Sequence, residues 1–369
     1  MPTDRGNPLI VLRLSLEISE ESAPFNQFSL ALRTQQDITI CTYFKSHFAV
    51  PDEITLFEGD DTLRGFFRAL RAALANKRYD IIHVHAPHLG VLFLVANSFQ
   101  SWDYIRSAVY TIHNSYQSYR LRNKLMLVPV IAFYRRIVCC GYSSLESFPR
   151  PLKWLAGSRM VAVQNGADIE RVDRCLRKGV EPPEERPFTV ISVGRLIDKK
   201  RPATVLRAFQ KVNHATGRLV FVGEGSLRAD LVAEAEALGM GKRVHMAGLV
   251  PREEVYVQLR RADIFVSASR MEGLPVAVLE AMACQCPVVL SDIPPHREIA
   301  SGVDFIPLIQ PNDVNGFAKE MSKFQSMSPA ERLRIGERCR ELVEERFSLS
   351  AMHRGYMRVY EEVIVGNHR

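Results

Sequence analysis

Short β-branched runs alternate with longer amphipathic stretches along almost the whole chain. We predict strands at 9–14, 38–43, 81–85, 108–112, 137–140, 160–163, 189–193, 219–222, 244–246, 264–267 and 288–290. Between them, stretches such as 63–77 and 227–238 place apolar residues near helical spacing. This alternation is typical of parallel sheets with helices on both faces, so we expect an α/β, doubly wound fold.

A polar, proline-rich segment divides this alternation into two parts. Residues 181–187 are Glu-Pro-Pro-Glu-Glu-Arg-Pro, and a new strand is predicted directly after them. We predict one Rossmann-like domain at 1–168, a linker at 169–187 and a second such domain at 188–348. We expect a C-terminal helix at 349–369 that packs on one of the two domains; the sequence does not say which. Because ligands bind at the carboxyl ends of such strands, the expected site is a cleft between the domains.

The composition limits the compartment and the partners. The 369 residues, 47% of them hydrophobic, suffice for two cores, and no run of eighteen apolar residues predicts a spanning helix. The polar residues 1–8 are not typical of a secretion signal, and seven cysteines without zinc-finger spacing fit reduced thiols in a cytoplasmic protein. The net charge is +7, but the basic residues are spread out, so we expect no nucleic-acid partner.

One basic segment is concentrated, at 104–145, where six arginines and lysines occur without a single acid. An apolar stretch at 125–134, too short to span a bilayer, lies between them. Two interpretations stay open: a core helix with solvated ends, or peripheral docking on an anionic membrane surface. The second would place the protein on the inner face of the cytoplasmic membrane.

Two glutamates flank a short predicted helix in the second domain. Glu272 stands in a loop before Gly-Leu-Pro, and residues 276–283, which include Glu280, are good helix formers. The eight-residue separation corresponds to about 12 Å along a helix. Free amides and the positive dipole end at the helix start attract an anion. This layout suits a nucleotide diphosphate-sugar, with hydroxyl groups at both acids and phosphates at the helix start.

Other candidate residues follow predicted strands. Gly194 and Arg195 follow the first strand of the second domain, and Lys200 comes shortly after. Two cations there would neutralise a diphosphate leaving group, although the same pattern also describes a solvated basic turn. Gly223 lies in a turn that allows close approach of a ligand or a neighbouring backbone. His113 ends a strand of the first domain, where a histidine is more often structural than catalytic.

Together these motifs resemble the retaining glycosyltransferases of family 4, which have the GT-B fold. The resemblance covers nearly the whole chain and is strongest from Gly194 to Glu298. It rests on Ile-His-Val-His at 82–85, Thr-Ile-His at 111–113, Gln-Asn-Gly-Ala-Asp at 164–168, Val-Gly-Arg-Leu at 193–196, Val-Gly-Glu-Gly-Ser-Leu at 222–227, Ala-Asp-Ile-Phe-Val at 262–266 and the Glu272/Glu280 pair.

The resemblance implies a role for each candidate. Arg195 and Lys200 look like the diphosphate-binding pair, Glu272 like the acid at the donor sugar, and His113 like a histidine near that sugar. Glu280 resembles the acid that accepts hydrogen bonds from the ribose. The remaining donor-binding candidates are Gly194, Gly223, Leu249, Val250, Gly273 and Leu274.

The resemblance also implies a reaction. We expect a retaining, metal-independent hexosyltransferase that uses a UDP- or GDP-type donor and no cofactor, and whose N-terminal domain binds a glycan or lipid-linked acceptor. Such an enzyme would serve cell-surface polysaccharide or glycolipid biosynthesis. The alternatives are a GT-B enzyme with phosphorylase-like or epimerase-like activity, and a non-catalytic nucleotide-sugar binder that assists an active transferase.

Two positions depart from the family pattern. Residues 14–28 contain no glycine, whereas the family usually has a glycine-rich turn after its first strand. We therefore expect an unusual acceptor site or a shifted loop. Gln285 stands where a glycine commonly ends the helix, and a left-handed conformation there would cost about 1 kcal/mol more than with glycine.

Overall fold

A computed structural model describes residues 8–19, 22–46, 48–97, 102–177, 186–212 and 217–367. The chain divides into two compact units, Met1–Gln164 with Met352–Arg369, and Asn165–Ala351. The polar N-terminus at 1–7 and the part of the predicted linker at 178–185 lie outside the described residues.

The first unit is built on a parallel seven-stranded sheet with the order β3-β2-β1-β4-β5-β6-β7. Its strands are β1 (Leu9–Ser15), β2 (Gln36–Thr42), β3 (Ile54–Glu58), β4 (Ile81–Val84), β5 (Ala108–Ile112), β6 (Arg136–Cys139) and β7 (Met160–Ala162). Its helices are α1 (Leu63–Asn76), α2 (Pro87–Asn97), α3 (Trp102–Arg106), α4 (Leu121–Phe133), α5 (Tyr142–Glu146) and α6 (Arg150–Ala156). Every residue of β4 and β5 is buried, as expected for central parallel strands covered on both faces.

The second unit has a parallel six-stranded sheet with the order β10-β9-β8-β11-β12-β13. Its strands are β8 (Thr189–Val193), β9 (Arg218–Val222), β10 (Val244–Gly248), β11 (Ile264–Ser267), β12 (Val288–Ser291) and β13 (Leu308–Ile309). Its helices are α7 (Ile169–Leu176), α8 (Pro202–Lys211), α9 (Arg228–Ala237), α10 (Arg252–Arg261), α11 (Val276–Ala283), α12 (Pro294–Ile299), α13 (Val314–Ser326) and α14 (Pro329–Arg346). Both sheets have the strand order of a doubly wound fold, as the alternation predicted.

The eleven predicted strands all form, within two residues of their predicted ends. The sequence reasoning missed β3, which pairs only with β2 at the sheet edge and has half-exposed residues, and β13, which has two residues. It also assigned all of 169–187 to a linker, whereas 169–176 form α7. The Asp168 side chain caps that helix by accepting a hydrogen bond from the Arg171 amide at 2.9 Å.

The last helix, α15 (Leu349–Asn367), packs mainly on the first unit. The Tyr356 hydroxyl group lies 3.0 Å from Thr111 Oγ1. The Tyr360 hydroxyl group lies 2.7 Å from His83 Nδ1. Burial and the guanidinium of Arg13 hold the pKa of His83 well below its usual value, so this ring is neutral. The helix is therefore fixed to the sheet by buried polar contacts as well as by apolar packing.

The strand order reverses once in each sheet, between β1 and β4 and between β8 and β11. At such a reversal the connections leave in opposite directions, which opens a crevice at the carboxyl ends of the strands. His85 directly follows β4, and Gly194 directly follows β8. The Ile-His-Val-His motif at 82–85 and the Val-Gly-Arg-Leu motif at 193–196 therefore each lie beside a reversal of strand order.

Gly336, in the middle of α14, gives a test of the packing. A Cβ atom at this position would clash with the backbone carbonyl of Gln285, which adopts a left-handed conformation with φ of 58°. Alanine is the better helix former by about 1 kcal/mol. We nevertheless expect Gly336→Ala to destabilise the protein by about 1–3 kcal/mol, because the two backbones must separate. Urea unfolding measures the change, and increased stability would contradict this packing.

Candidate functional site

A small pocket lies at the carboxyl ends of β8 and β11, within the second unit. It is lined by the loop after β8, the loop after β11 and the start of α11, including Gly194, Arg195, Lys200, Ser269, Glu272 and Ala277. Helix α11 begins at Val276, so its first amides have no partner within the helix. The pocket therefore combines a helix N-terminus with basic and acidic side chains.

Glu272 and Lys200 form an ion pair in this pocket. The Lys200 Nζ donates to Glu272 Oε1 at 2.5 Å, and Glu272 is 7% exposed. Burial alone would raise the pKa of Glu272, but the charge and hydrogen bond of Lys200, together with Ser269, lower it. Glu272 is therefore an ionised carboxylate that accepts hydrogen bonds, and an ammonium group is held beside it.

Arg195 supplies a second cation to the pocket. Its side chain is exposed, and within the described part of the chain no carboxylate forms an ion pair with it. Lys199 lies nearby, and burial together with the charge of Arg195 lowers the pKa of its ammonium group. A guanidinium in this position can bind two oxygens of a phosphate.

Gly194 and Gly223 allow the loops after β8 and β9 to approach each other. Both have positive φ, 147° and 129°, and a Cβ on Gly223 would clash with the Gly194 carbonyl. The Gly223 amide donates to the Gly248 carbonyl at 2.8 Å. The sequence allowed either a ligand or a neighbouring backbone to approach Gly223. The structure shows the approach of a neighbouring backbone.

The Asn165 side chain holds the Gly-Leu-Pro loop before α11. From the sequence alone, Asn165 is assigned only to the junction between the domains. Asn165 Nδ2 donates to the Leu274 carbonyl at 2.8 Å, and Asn165 is buried. Gly273 and Leu274 are also buried beside Glu272. The junction motif therefore helps to set the path of the loop that carries the predicted donor-binding amides.

Glu280 lies in the second half of α11, outside the lining of the pocket. It is buried, and its Oε1 accepts hydrogen bonds from Arg252 Nε at 2.8 Å and from Tyr256 at 3.1 Å. Burial would lower the pKa of Arg252, but the carboxylate of Glu280 raises it, so Arg252 keeps its charge. Neither partner on α10 was predicted from the sequence, because an Arg and a Tyr four residues apart form no recognisable motif.

His296 is a further neighbour that the sequence reasoning missed. It is fully buried, and its Nδ1 lies 2.8 Å from the Ser291 carbonyl, which can only accept a hydrogen bond. Nδ1 therefore carries the proton. Burial lowers the pKa of His296 to about 4, although the charge of Glu272 opposes this, so the ring is neutral at physiological pH.

In the first unit, His113 follows β5 and pairs with His85, which follows β4. His85 Nδ1 and His113 Nε2 are 3.1 Å apart, and the rings stack with centroids at 5.3 Å. Burial lowers the pKa of His113 to about 4 and that of His85 well below its usual value. Both rings are neutral, so His113 can position a ligand by hydrogen bonding but is a poor proton acceptor.

Other predicted residues lie apart from the pocket. Leu249 and Val250 follow β10 at the same edge of the sheet, and Leu249 is 61% exposed. Asp263 directly precedes β11, at the opposite, amino end of that strand. It is buried and held by Arg186 at 2.6 and 2.9 Å and by Arg332 at 3.1 Å. This acid of the Ala-Asp-Ile-Phe-Val motif is therefore structural.

Two family models match the chain in succession. The model described as "Glycosyltransferase Family 4" matches residues 45–171, and "Glycosyl transferases group 1" matches residues 176–342. The second match contains Arg195, Lys200, Glu272 and Glu280. The described residues contain no cluster of three or more potential metal ligands from His, Cys, Asp and Glu.

Individual proteins show the same similarity. The chain is 24% identical to an Escherichia coli UDP-Gal:alpha-D-GlcNAc-diphosphoundecaprenol alpha-1,3-galactosyltransferase, over 83% of this chain and 82% of that protein. It is 30% identical to the putative colanic acid biosynthesis glycosyltransferase WcaL of Escherichia coli K12, over 57% and 52% of the two chains. Sucrose-phosphate synthase from Thermosynechococcus elongatus has the same fold, with a TM-score of 0.80 at 17% identity over 97% and 100% of the chains.

The ion pair between Lys200 and Glu272 gives a prediction of pH dependence. In the native protein the lowered pKa of Glu272 contributes stability above its unfolded-state pKa, and this contribution is lost as the pH falls through the folded-state pKa. In Lys200→Met the buried carboxylate has no ammonium partner, so we expect its pKa to rise and stability to fall as the pH increases towards neutrality. Removing one partner of a buried ion pair costs about 3–5 kcal/mol, and because the Lys200 side chain is partly exposed we expect the lower end, about 3 kcal/mol, at neutral pH.

Thermal unfolding of the native protein and of Lys200→Met, measured between acidic and neutral pH, tests this expectation. The double variant Lys200→Met/Glu272→Gln should recover part of the loss, because no charge is then buried without a partner. Equal pH profiles for Lys200→Met and the native protein would contradict the pairing.

Proposed function

Because this chain belongs to the group 1 glycosyltransferases, which have the GT-B fold, we propose that it transfers a hexose from a nucleotide diphosphate-sugar with retention of the anomeric configuration. The observation that carries the proposal is the Lys200–Glu272 pair beside the N-terminus of α11. Lys200 would offer a cation to a phosphate, and Glu272 would offer an ionised acid to the sugar attached to that phosphate. Arg195 adds the second cation that a diphosphate requires.

We propose that Lys200 and Arg195 bind the diphosphate. An ammonium group has three donors, so Lys200 can keep its hydrogen bond to Glu272 and still donate to a phosphate oxygen. The amides of Gly273 and Leu274 and the first turn of α11 would add donors without a net charge. Negative charge increases on the diphosphate as the bond to the sugar breaks, so these groups bind the transition state more strongly than the ground state.

The two glutamates would bind the ends of the donor. Glu272 is ionised and can accept hydrogen bonds from sugar hydroxyl groups through Oε2, while Oε1 faces Lys200. Glu280 would accept from the ribose hydroxyls, oriented by the donors Arg252 and Tyr256 on its Oε1. Glu272 precedes α11 and Glu280 lies in its second half, so the two carboxylates could contact different ends of a sugar diphosphate.

Burial lowers the pKa of His113 to about 4, so this histidine would be a weak general base for the acceptor. We therefore propose that the leaving phosphate takes the proton. The bond from the anomeric carbon to the phosphate oxygen breaks, the acceptor oxygen bonds to the same face of that carbon, and the acceptor proton passes to the phosphate. His113 would hold the sugar by a hydrogen bond.

The donor and acceptor classes are proposed from the relatives. One is named for UDP-galactose and a diphosphoundecaprenol-linked acceptor, and another for colanic acid biosynthesis. We propose a UDP- or GDP-type donor and a glycan or lipid-linked acceptor, in polysaccharide or glycolipid biosynthesis at the cytoplasmic face of the membrane. With two cations for the diphosphate, the reaction would need no metal and no cofactor.

Nucleotide release from a panel of UDP- and GDP-sugars, with and without polyprenyl-diphosphate-linked sugars, tests this function. We expect release that depends on the acceptor, that persists in EDTA, and whose product keeps the donor's anomeric configuration by NMR. Tight donor binding without turnover on any acceptor would favour the non-catalytic binder, and an inverted product would contradict retention.

Glu280→Gln tests the donor assignment. The change keeps the shape of the side chain but removes the strongest acceptor for the ribose hydroxyls, so we expect the Kd for the nucleoside diphosphate to rise about tenfold or more. Isothermal titration calorimetry measures it, and circular dichroism checks the fold, because Arg252 loses its charged partner. Glu254→Gln, on the exposed side of α10, is the matched control. Equal affinities for the two variants would refute the assignment.

A further inference from the structure

Three helices of the first unit, α2, α4 and α6, lie side by side, with α4 in contact with both of the others. Their sequences contain no aspartate or glutamate. On one side, α4 packs Leu127, Val130 and Ile131 into the core of the unit. This part of the basic segment is therefore a core helix, as one of the two interpretations of the sequence expected, but its other side is exposed.

The exposed sides of these helices carry large apolar side chains. Trp154 is 85% exposed, and Leu121 and Leu125 are 73% and 64% exposed. Residues 121, 125 and 128 lie at helical spacing and so share one stripe of α4. The exposed apolar residues of the three helices are Val95, Leu121, Leu125, Val128, Phe133 and Trp154. Together with the basic residues described next, we call them the acid-free face.

Basic side chains occur on two of the same helices, α4 and α6. They are Arg120, at the N-cap of α4, and Arg122, Lys124, Arg150 and Lys153, within α4 and α6. Lys124 Nζ lies 4.8 Å from the Tyr116 ring centroid. Within the described residues no carboxylate forms an ion pair with any of the five. The charge on this face is therefore not neutralised by the protein itself.

Exposed apolar residues on or next to the helices of the second unit have different surroundings. Val232 lies in α9, Leu238 directly follows α9, and Leu333 lies in α14. Both helices contain several acidic residues. Single apolar side chains among charges of both signs are ordinary protein surface. The acid-free face differs because exposed apolar groups occur on three neighbouring helices and cations on two of them, with no acid in any of the three.

We propose that the acid-free face docks on an anionic phospholipid bilayer. Leucine and tryptophan side chains enter the boundary between headgroups and acyl chains, and arginine and lysine bind the phosphates. The attraction of each cation near such a surface is about 1 kcal/mol, so several cations add to a useful affinity. None of the described helices is long and apolar enough to cross a membrane.

The complementarity favours lipid over the other partners for such a face. A nucleic acid would use the cations but gain little from exposed leucines on a helix. A protein partner would have to be both acidic and apolar over the same area, whereas an anionic bilayer has both properties everywhere. The inference does not depend on the transferase activity, although docking would bring the protein to a lipid-linked acceptor.

Co-sedimentation of the full-length protein with vesicles tests this inference. Vesicles of phosphatidylglycerol with phosphatidylcholine provide an anionic surface, and pure phosphatidylcholine vesicles are the neutral reference; neither contains a polyprenyl lipid. We expect binding to the anionic vesicles at low salt, at least about tenfold weaker binding to the neutral ones, and weaker binding at high salt. Absence of binding at low salt would overturn the inference and would leave a protein partner as the explanation.

Two double variants separate the apolar from the electrostatic contribution. Leu125→Ser/Trp154→Ser and Arg122→Glu/Arg150→Glu should each reduce the bound fraction about tenfold or more. Leu333→Ser/Arg334→Glu, on α14, is the matched control and should bind as the native protein does. Equal binding by all the variants would overturn the assignment of the face.

A separate readout distinguishes failure of this inference from failure of the proposed function. All the substituted residues are exposed and outside the proposed donor site, so transfer to a short, water-soluble acceptor should be unchanged in each variant. Loss of vesicle binding with this activity retained supports the docking face. If vesicle binding is intact but no sugar is transferred, the docking face stands and the transferase proposal fails.

Discussion

The reversal of strand order between β8 and β11 is the constraint on which the proposed donor site depends. The reversal opens a crevice at the carboxyl ends of these two strands, and the loops that follow them carry Arg195, Lys200 and Glu272. The close approach of Gly194 and Gly223 and the hydrogen bond from Asn165 to Leu274 hold the surrounding loops. Without the reversal, these charges would have no common pocket, although the same residues occurred in the sequence.

Buried carboxylates in the second unit are all compensated, but in different ways. Asp263 accepts from two arginines and from the Thr189 amide, so its hydrogen-bonding capacity is largely used by the protein. Glu272 has Lys200 as its charged partner, and Glu280 has Arg252. A buried charge with a single charged partner keeps acceptor capacity for a ligand. This difference explains why the acid at the amino end of β11 is structural while the other two suit a substrate.

The sequence predicted the repeated α/β architecture, because the central strands are short, mainly apolar runs that need helices on both faces of the sheet. It also located α11, where local chemistry decides the conformation, and the resemblance to the family marked Gln285 as the position after the helix end. It missed His296, Arg252 and Tyr256, which reach the glutamates only through tertiary packing. It assigned α7 to a linker, because the prolines further along dominated the pattern. The exposed stripe on α4 was ambiguous, since a helix with one buried side and one apolar exposed side has little periodicity.

The central claim is that the loop after β8 and the start of α11 bind the nucleotide diphosphate. Hydrogen–deuterium exchange of the protein with and without saturating UDP or GDP tests this most directly, because it reports on the backbone amides themselves. We expect slower exchange with at least one of the two nucleotides in peptides that cover residues 193–200 and 271–281. Unchanged exchange in both peptides with both nucleotides, or protection confined to other parts of the chain, would contradict the claim.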